Sequence, residues 1–209
     1  MNWTWVTFLG DSTLLLPASL IVFAVLLLSD QSRRIALSWA MVFGATGLVV
    51  SVSKLLFMGW GIGSRELDFT GFSGHTALST VFWPVFLWVV CCRFSSGVQK
   101  VAVVAGYLVA ALVGYSRLMV NAHSQSEVIL GWGIGALASV AFFLLQRRYP
   151  AVVLIGYEKL TVLLVVPVLL FNTGMKAPTQ SLLESFAVTL GNLEKPYTRA
   201  DLHRGLLSL

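Results

Sequence analysis

Long apolar stretches alternate with short polar segments along most of the chain. A helix needs about 20 mostly apolar residues to cross a membrane, and 17 is near the lower limit. Six stretches come close to this length, and they occupy residues 12–28, 35–57, 76–92, 101–115, 128–145 and 151–171. The pattern predicts an all-α, polytopic membrane helix bundle of about six transmembrane helices. In the fifth stretch, Gly131, Gly133 and Gly135 are available for close helix contacts.

The sixth stretch and the segment after it are less regular. Glu158 and Lys159 fall inside the sixth stretch, so a tilted or partly interfacial helix fits it as well as a full span. Residues 172–209 are more polar, but Leu182, Leu183, Phe186 and Leu190 recur there at helical spacing. We therefore predict a six-span membrane domain over 1–171, with its core at 54–145. A polar C-terminal tail over 172–209 would carry a short amphipathic helix on the membrane surface.

Composition and charge support a membrane protein. Hydrophobic residues make up 57% of the 209-residue chain and charged residues 11%, whereas soluble domains carry about 25% charged residues. The net charge of +5 does not indicate nucleic-acid binding, because the cations lie mostly at the ends of apolar stretches, where they set topology and meet anionic lipid. Cys91 and Cys92 are adjacent and fit neither a disulfide framework nor a zinc site.

The basic residues also predict orientation. The turns after the first, third and fifth stretches contain one acid, Asp30, and six cations: Arg33, Arg34, Arg93, Lys100, Arg147 and Arg148. The positive-inside rule places these turns in the cytoplasm. We therefore expect a multi-pass protein of the cell inner (plasma) membrane with both termini facing the periplasm or the outside.

Two polar islands interrupt the apolar pattern on the predicted outer side. The first is Ser73-Gly74-His75, at the mouth of the third stretch, and the second runs from Ser116-Arg117 through His123 to Glu127. Two membrane crossings separate them, so both islands return to the same face. Ionisable residues near membrane depth are costly and usually functional. With Lys54 and Arg65 nearby, the cations and a helix N-terminus suit a phosphate group.

Taken singly, each of these residues also fits a structural role. Glu127 can close a capping box with Ser124 and only cap the fifth helix, and Ser73 can cap the third. Lys54 can extend to the lipid headgroups, Arg117 can bind lipid phosphate without catalysis, and Arg65, near Glu66 and Asp68, can be a solvated loop charge. A lone interfacial histidine is more often a satisfied polar group. Their joint occurrence on one membrane face favours a functional site.

The islands resemble the motifs of the type 2 phosphatidic acid phosphatase family, whose signature is K-x(6)-R-P, P-S-G-H and S-R-x(5)-H-x(3)-D. Lys54 matches the first lysine, Phe72-Ser73-Gly74-His75 the second motif, and Ser116-Arg117 with His123 and Glu127 the third. Three departures stand out. Phe72 replaces a proline, Glu127 replaces an aspartate, and Gly61 occupies the first-motif arginine position with no proline after it. Arg65 is a candidate to supply the missing guanidinium.

The resemblance implies a bacterial integral-membrane lipid phosphate phosphatase with defined residue roles. His123 would attack phosphorus and form a phosphohistidine, Glu127 would orient it, and His75 would protonate the leaving group and then activate water. The phosphoryl oxygens would be held by Lys54, Arg65, Ser73, Gly74 and Arg117. The enzyme would be a metal-independent phosphoric monoester or diphosphate hydrolase, because fixed cations would stabilise the charge. We expect no cofactor, nucleic acid or obligate protein partner.

The substrate class stays open within lipids that carry phosphate. Undecaprenyl diphosphate, phosphatidate and phosphatidylglycerophosphate are all candidates for entry at the outer face. A lipid phosphotransferase with the same phosphohistidine intermediate is an alternative. A catalytically silent lipid-phosphate binder or transporter is a second alternative, which the broken first motif keeps open.

Overall fold

The computed structural model describes residues 3–29, 32–148, 155–171 and 179–205, and they are mainly helical. The helices are α1 (Trp3–Phe8), α2 (Ser12–Leu27), α3 (Arg33–Trp60), α4 (Gly74–Val90), α5 (Ser96–Met119), α6 (Gln125–Arg148), α7 (Tyr157–Phe171), α8 (Thr179–Gly191) and α9 (Arg199–Arg204). The α3–α4 loop carries an isolated bridge between Ser64 and Phe69.

The predicted all-α membrane bundle is confirmed. Helices α2 to α6 coincide with the first five apolar stretches. Four segments in the described part are long and apolar enough to cross a membrane: Trp3–Leu27, which joins α1 to α2, then α3, α5 and α6. The 17-residue α4 is apolar but shorter. Of the sixth stretch, residues 151–154 lie outside the described residues. Glu158 and Lys159 fall in the first turn of α7 rather than inside it.

Two residues fix helix ends that border the polar islands. The Asp11 carboxylate caps α2 by accepting hydrogen bonds from the Thr13 N–H at 2.8 Å and the Thr13 hydroxyl at 2.6 Å. Gly61 ends α3 in the left-handed conformation, with φ of 70°, and its N–H donates to the Phe57 carbonyl at 2.8 Å. Glycine adopts this conformation without the penalty of a Cβ atom. The position that matches the arginine of the family signature is therefore a helix terminus in this chain.

An aromatic cluster around Trp39 joins four helices in the interior of the bundle. The Trp39 ring packs against Phe43, Phe82 and Phe142, which joins α3 to α4 and α6. Its indole N–H donates to the Ser19 carbonyl of α2 at 3.0 Å, so the buried polar atom is satisfied. This core joins α2, α3, α4 and α6, and the polar islands begin or end at the N-terminal ends of α4 and α6.

Glycines let α6 approach α4 closely. A methyl group added at Gly135 would lie 2.4 Å from the Ala77 carbonyl oxygen, and one at Gly131 would lie 3.0 Å from the Ser73 carbonyl oxygen. The prediction of a close contact is wrong for Gly133, which faces open space because it lies on the other side of the helix. The close approach places the N-terminal end of α6 beside that of α4.

The C-terminal tail folds back onto the end of α3. The predicted short helix is present as α8, but the residues that it buries toward α3 are Ala187 and, partly, Leu183. Gly191 of α8 lets this helix approach α3, because a methyl group there would lie 2.6 Å from the Gly59 carbonyl oxygen. Leu182, Phe186 and Leu190 are exposed along a neighbouring stripe. A surface location of this stripe at the membrane stays a prediction, as does the division of the chain at residue 171.

The other end of the bundle gathers basic residues. Arg93, after α4, donates to the Ile155 carbonyl at 3.0 Å and lies over the Tyr157 ring. Lys159 donates to the Leu28 carbonyl, after α2, at 2.7 Å. The chain therefore separates a basic end from the end that carries the two polar islands.

Candidate active site

Both polar islands open onto one cavity of about 790 Å³ at the end of the bundle. The C-terminal parts of α3 and α5 contribute Lys54 and Arg117, the N-terminal end of α4 contributes Gly74 and His75, and the loop before α6 contributes His123. The structure thus brings together five of the residues predicted to form a site, although 69 positions separate the first from the last in the sequence.

His123 and Glu127 form a short hydrogen-bonded pair. The Nδ1 atom of His123 lies 2.6 Å from Oε2 of Glu127, and the two residues are one helical turn apart. An ionised carboxylate only accepts hydrogen bonds, so Nδ1 carries the proton and the lone pair is on Nε2. Burial lowers the pKa of His123, and the hydrogen bond to Glu127 offsets part of this effect. The imidazole is therefore neutral near pH 7, as a nucleophile must be.

Glu127 is fully buried and is held by several donors. Its Oε1 accepts from the N–H of Thr70 at 2.7 Å and from the Thr70 hydroxyl at 2.6 Å. Its Oε2 accepts from the Ser124 N–H at 3.2 Å, while the Ser124 hydroxyl accepts from the Glu127 N–H at 3.4 Å. These reciprocal bonds are the predicted capping box. The two interpretations of Glu127, as a helix cap and as the partner of His123, hold in the same geometry.

His75 also has a carboxylate partner, which sequence reasoning missed. Its Nε2 atom lies 3.4 Å from Oδ2 of Asp11, the residue that caps α2. The two side chains are about one quarter and one third exposed. The pair joins the first polar island to the N-terminal segment. The only sequence signal was an acidic residue directly before the first apolar stretch.

Two cations point toward the cavity from α3 and α5. The Lys54 ammonium donates to the Gln180 side-chain oxygen of α8 at 3.3 Å. The Nε atom of Arg117 is buried and has no hydrogen-bond partner among the described residues. A buried donor without a partner is costly, so this atom is suited to an acceptor that enters the cavity, such as a phosphoryl oxygen.

Ser73 and Gly74 occupy different positions relative to the cavity. Gly74 lines it, whereas Ser73 is fully buried behind it. The Ser73 N–H donates to the Glu127 carbonyl at 3.1 Å, and its hydroxyl pairs with that of Thr76 at 2.9 Å. In this structure Ser73 therefore connects α4 to α6, and the Gly74 backbone is the part of the second motif that faces the cavity. Ser73 is the residue at the N-cap of α4, but its side chain makes no capping hydrogen bond.

Arg65 is not brought to the cavity. Its side chain is exposed in the α3–α4 loop and is absent from the residues that line the cavity. A different guanidinium lies there, that of Arg199 in the tail. Its Nη2 lies 2.7 Å from Glu127 Oε2, and its Nη1 lies 2.5 Å from Asp68 Oδ2. No motif in the sequence pointed to Arg199.

Comparisons with known proteins identify a family, a relative and a solved structure that resemble this chain. The family model described as PAP2 superfamily matches residues 54–150. A Klebsiella pneumoniae protein named "Uncharacterized 22.5 kDa protein in cps region" is 53% identical over 206 residues, which cover 98% of this chain and 99% of that protein. The crystal structure of a transmembrane PAP2 type phosphatidylglycerolphosphate phosphatase from Bacillus subtilis aligns with a TM-score of 0.56 at 23% identity. The alignment covers 70% of this chain and 76% of that one.

The matched region contains both polar islands, the end of α3 and the whole of α4, α5 and α6. The structural likeness shows the same membrane fold. The apolar helices and this likeness make the protein a multi-pass membrane protein. The chain belongs to the PAP2 superfamily.

Proposed function

We propose that the protein is a membrane phosphatase that hydrolyses a lipid phosphate or lipid diphosphate through a phosphohistidine. The observation that carries the proposal is the His123–Glu127 pair beside a cavity that Lys54, Arg117 and His75 also line. A neutral imidazole, two fixed cations and a second histidine are the groups that phosphoryl transfer to histidine requires.

The proposed reaction has two steps. The Nε2 lone pair of His123 attacks phosphorus, the bond from phosphorus to the leaving oxygen breaks, and His75 gives that oxygen its proton. His75 then removes a proton from water, whose oxygen attacks the phosphohistidine. The P–N bond breaks, inorganic phosphate leaves, and His123 returns to its neutral form. Lys54, Arg117 and the Gly74 backbone stabilise the equatorial oxygens throughout.

The wall of the cavity supports a lipid substrate. Below the charged residues it is lined by apolar side chains of α2, α3 and α4, which include Leu16, Phe43, Val50 and Leu78. These residues suit the first part of an acyl or isoprenoid chain, while the phosphate occupies the polar end. Undecaprenyl diphosphate, phosphatidate and phosphatidylglycerophosphate fit this description, and phosphatidylglycerolphosphate is the substrate named for the aligned Bacillus subtilis enzyme.

The deciding experiment is phosphate release from these lipids by the purified protein in detergent. We expect release that survives a chelator, is inhibited by vanadate and disappears in His123→Ala. Brief incubation with a labelled substrate should yield acid-labile label on the parent protein but not on His123→Ala. Loss of activity in chelator, with recovery in magnesium, would contradict the metal-independent mechanism.

The same assay tests the two alternatives. Label that passes to an added acceptor lipid in preference to water would identify a phosphotransferase. The Gly61 departure keeps a silent binder open as the second alternative, and such a protein would retain a labelled lipid without releasing phosphate.

We also propose that the cavity faces the periplasm or the outside, because the arginine-bearing turns lie at the other end of the bundle. Glu66 is exposed in the α3–α4 loop, on the cavity side. In a background without Cys91 and Cys92, Glu66→Cys should react with a membrane-impermeant thiol reagent on intact cells. Reaction only after the membrane is opened would reverse the orientation.

A further inference from the structure

The C-terminal tail forms part of the cavity wall. Thr179 and Gln180 of α8 line the cavity together with residues 196–199, which lead into α9. The tail is fastened to the end of α3, because the Tyr197 N–H donates to the Met58 carbonyl at 2.9 Å and Leu202 packs in the same apolar cluster as Met58. These tail residues lie beyond the region, 54–150, that the family model matches.

Arg199 connects the tail to the buried carboxylate of the site. Its two terminal nitrogens bind different acids. Nη2 donates to Glu127 Oε2 at 2.7 Å, and Nη1 donates to Asp68 Oδ2 at 2.5 Å and to the Asp68 carbonyl at 3.0 Å. His123 Nδ1 binds the same Oε2 atom at 2.6 Å. One carboxylate oxygen thus joins the tail arginine to the proposed nucleophile.

We propose that Arg199 is a positioning residue for the His123–Glu127 pair, and that the tail is therefore an integral part of the active site. The inference rests on the proposed phosphatase function. A planar guanidinium bound at two points holds Oε2 at one place and prevents the carboxylate from turning away from the imidazole. Gly61 leaves the first motif without a guanidinium, and in this chain one reaches the site from the tail instead.

The charges around His123 predict how its titration responds to Arg199. Glu127 favours the protonated imidazole, whereas the positive charges of Lys54 and Arg117 disfavour it. His75 faces the same cavity, and a positive charge on either histidine disfavours protonation of the other. Arg199 adds a further positive charge beside Glu127 Oε2, the oxygen that binds His123 Nδ1. Removal of this charge should raise the pKa of His123. The negative charge of Glu127 then favours the protonated imidazole with one fewer positive charge to oppose it.

The test compares four variants of the full-length protein in detergent. Arg199→Ala removes the hydrogen bonds of the guanidinium to Glu127, Asp68 and Thr70, and Arg199→Lys keeps the charge but not the fork. Arg204→Ala is the matched control, because Arg204 is exposed on the same short helix. His203→Ala removes a tail contact to Asp68, at 2.9 Å, without touching Glu127. The chain has three histidines, so labelled histidine allows each one to be titrated by NMR.

We expect Arg199→Ala to lower turnover about tenfold to a hundredfold, as a misplaced catalytic group does. The pKa of His123 should rise by roughly half a unit to one unit. The turnover of Arg199→Lys should lie between those of Arg199→Ala and the parent, and the pKa of His123 should change little. This variant tests the proposal even if Arg199→Ala does not fold. His203→Ala and Arg204→Ala should stay within about twofold of the parent.

Two results would overturn the inference. Equal losses in Arg199→Ala and His203→Ala with an unchanged His123 titration would mean that Arg199 only fastens the tail. Full turnover with an unchanged titration in Arg199→Ala would mean that Arg199 has no part in the site. The titration does not depend on substrate. If no lipid phosphate is hydrolysed but the pKa of His123 rises in Arg199→Ala, the proposed function fails while the coupling of Arg199 to His123 stands.

Discussion

The cavity contains two histidine–carboxylate pairs that are built in different ways. His123 and Glu127 are four residues apart, their contact is 2.6 Å, and the carboxylate is fully buried. His75 and Asp11 are 64 positions apart, their contact is 3.4 Å, and both side chains are partly exposed. The first pair is assembled by one helical turn, whereas the second depends on how the N-terminal segment packs against α4 and α5.

This difference matches the two tasks proposed for the histidines. The nucleophilic nitrogen must point directly at phosphorus, so the imidazole benefits from a carboxylate that several hydrogen-bond donors hold in place. An acid that becomes a base must exchange protons with a leaving group and then with water, and a looser and more accessible pair suits that exchange. The comparison therefore predicts that replacement of Glu127 lowers turnover of every substrate. Replacement of Asp11 should lower turnover only of substrates whose leaving group needs a proton.

Glu127→Gln should give the largest effect among the carboxylate changes. In the serine protease triad, replacement of the orienting carboxylate by an amide costs about 10⁴ in turnover, and we expect a loss on the order of 10²–10⁴ here. Glu127→Asp should retain more activity, since it keeps the charge and restores the family residue, and His123→Ala should retain less than either. Turnover and thermal unfolding are measured together. Normal folding with parental turnover in Glu127→Gln would show that Glu127 is only a cap.

Asp11→Asn should give a smaller, substrate-dependent effect. Asparagine caps helices about as well as aspartate, so α2 should be preserved. We expect about a tenfold loss on a lipid phosphate, whose alkoxide leaving group needs a proton. We expect little loss on p-nitrophenyl phosphate, whose leaving group does not. Glu127→Gln serves as the comparison, because it should impair both substrates. An equal loss on both substrates in Asp11→Asn would contradict its assignment to the acid.

The local parts of the site could be predicted from the sequence. The spacing of His123 and Glu127 and the capping box depend on one helical turn, and the apolar stretches located five helices. Asp11 and Arg199 could not be predicted. Their partners lie 64 and 72 positions away, and neither contact belongs to a periodic pattern or a motif. Arg65 is the arginine closest in sequence to Gly61, the position where the first motif lacks its arginine. However, α3 ends at Gly61 and the Ser64–Phe69 bridge turns the loop, so Arg65 is exposed.

The glycines of α6 test whether the two pairs must be held together. Gly135→Ala would place a methyl group against the Ala77 backbone, and overpacking of this kind costs about 1–3 kcal/mol of stability. It should also separate α6 from α4 and lower turnover severalfold. Gly133→Ala is the matched control, because Gly133 faces open space and alanine favours a helix. Similar unfolding temperatures for the two variants would show that the close approach of α6 to α4 is not important.

The smallest expected effect is a shift in the pH profile, and it assigns each carboxylate to its histidine. His123 attacks only when it is neutral, and burial lowers its pKa, so activity should fall only as the pH drops below about 6.5, the ordinary value of the group. Glu127 favours the protonated imidazole, so Glu127→Gln should lower the pKa of His123 further and move the acid limb to lower pH. Asp11→Asn should leave the acid limb in place, because its partner is His75. The measurement is kcat/KM against pH for the three proteins, which reports groups of the free enzyme. An acid limb that moves in Asp11→Asn but not in Glu127→Gln would reverse the roles of the two pairs.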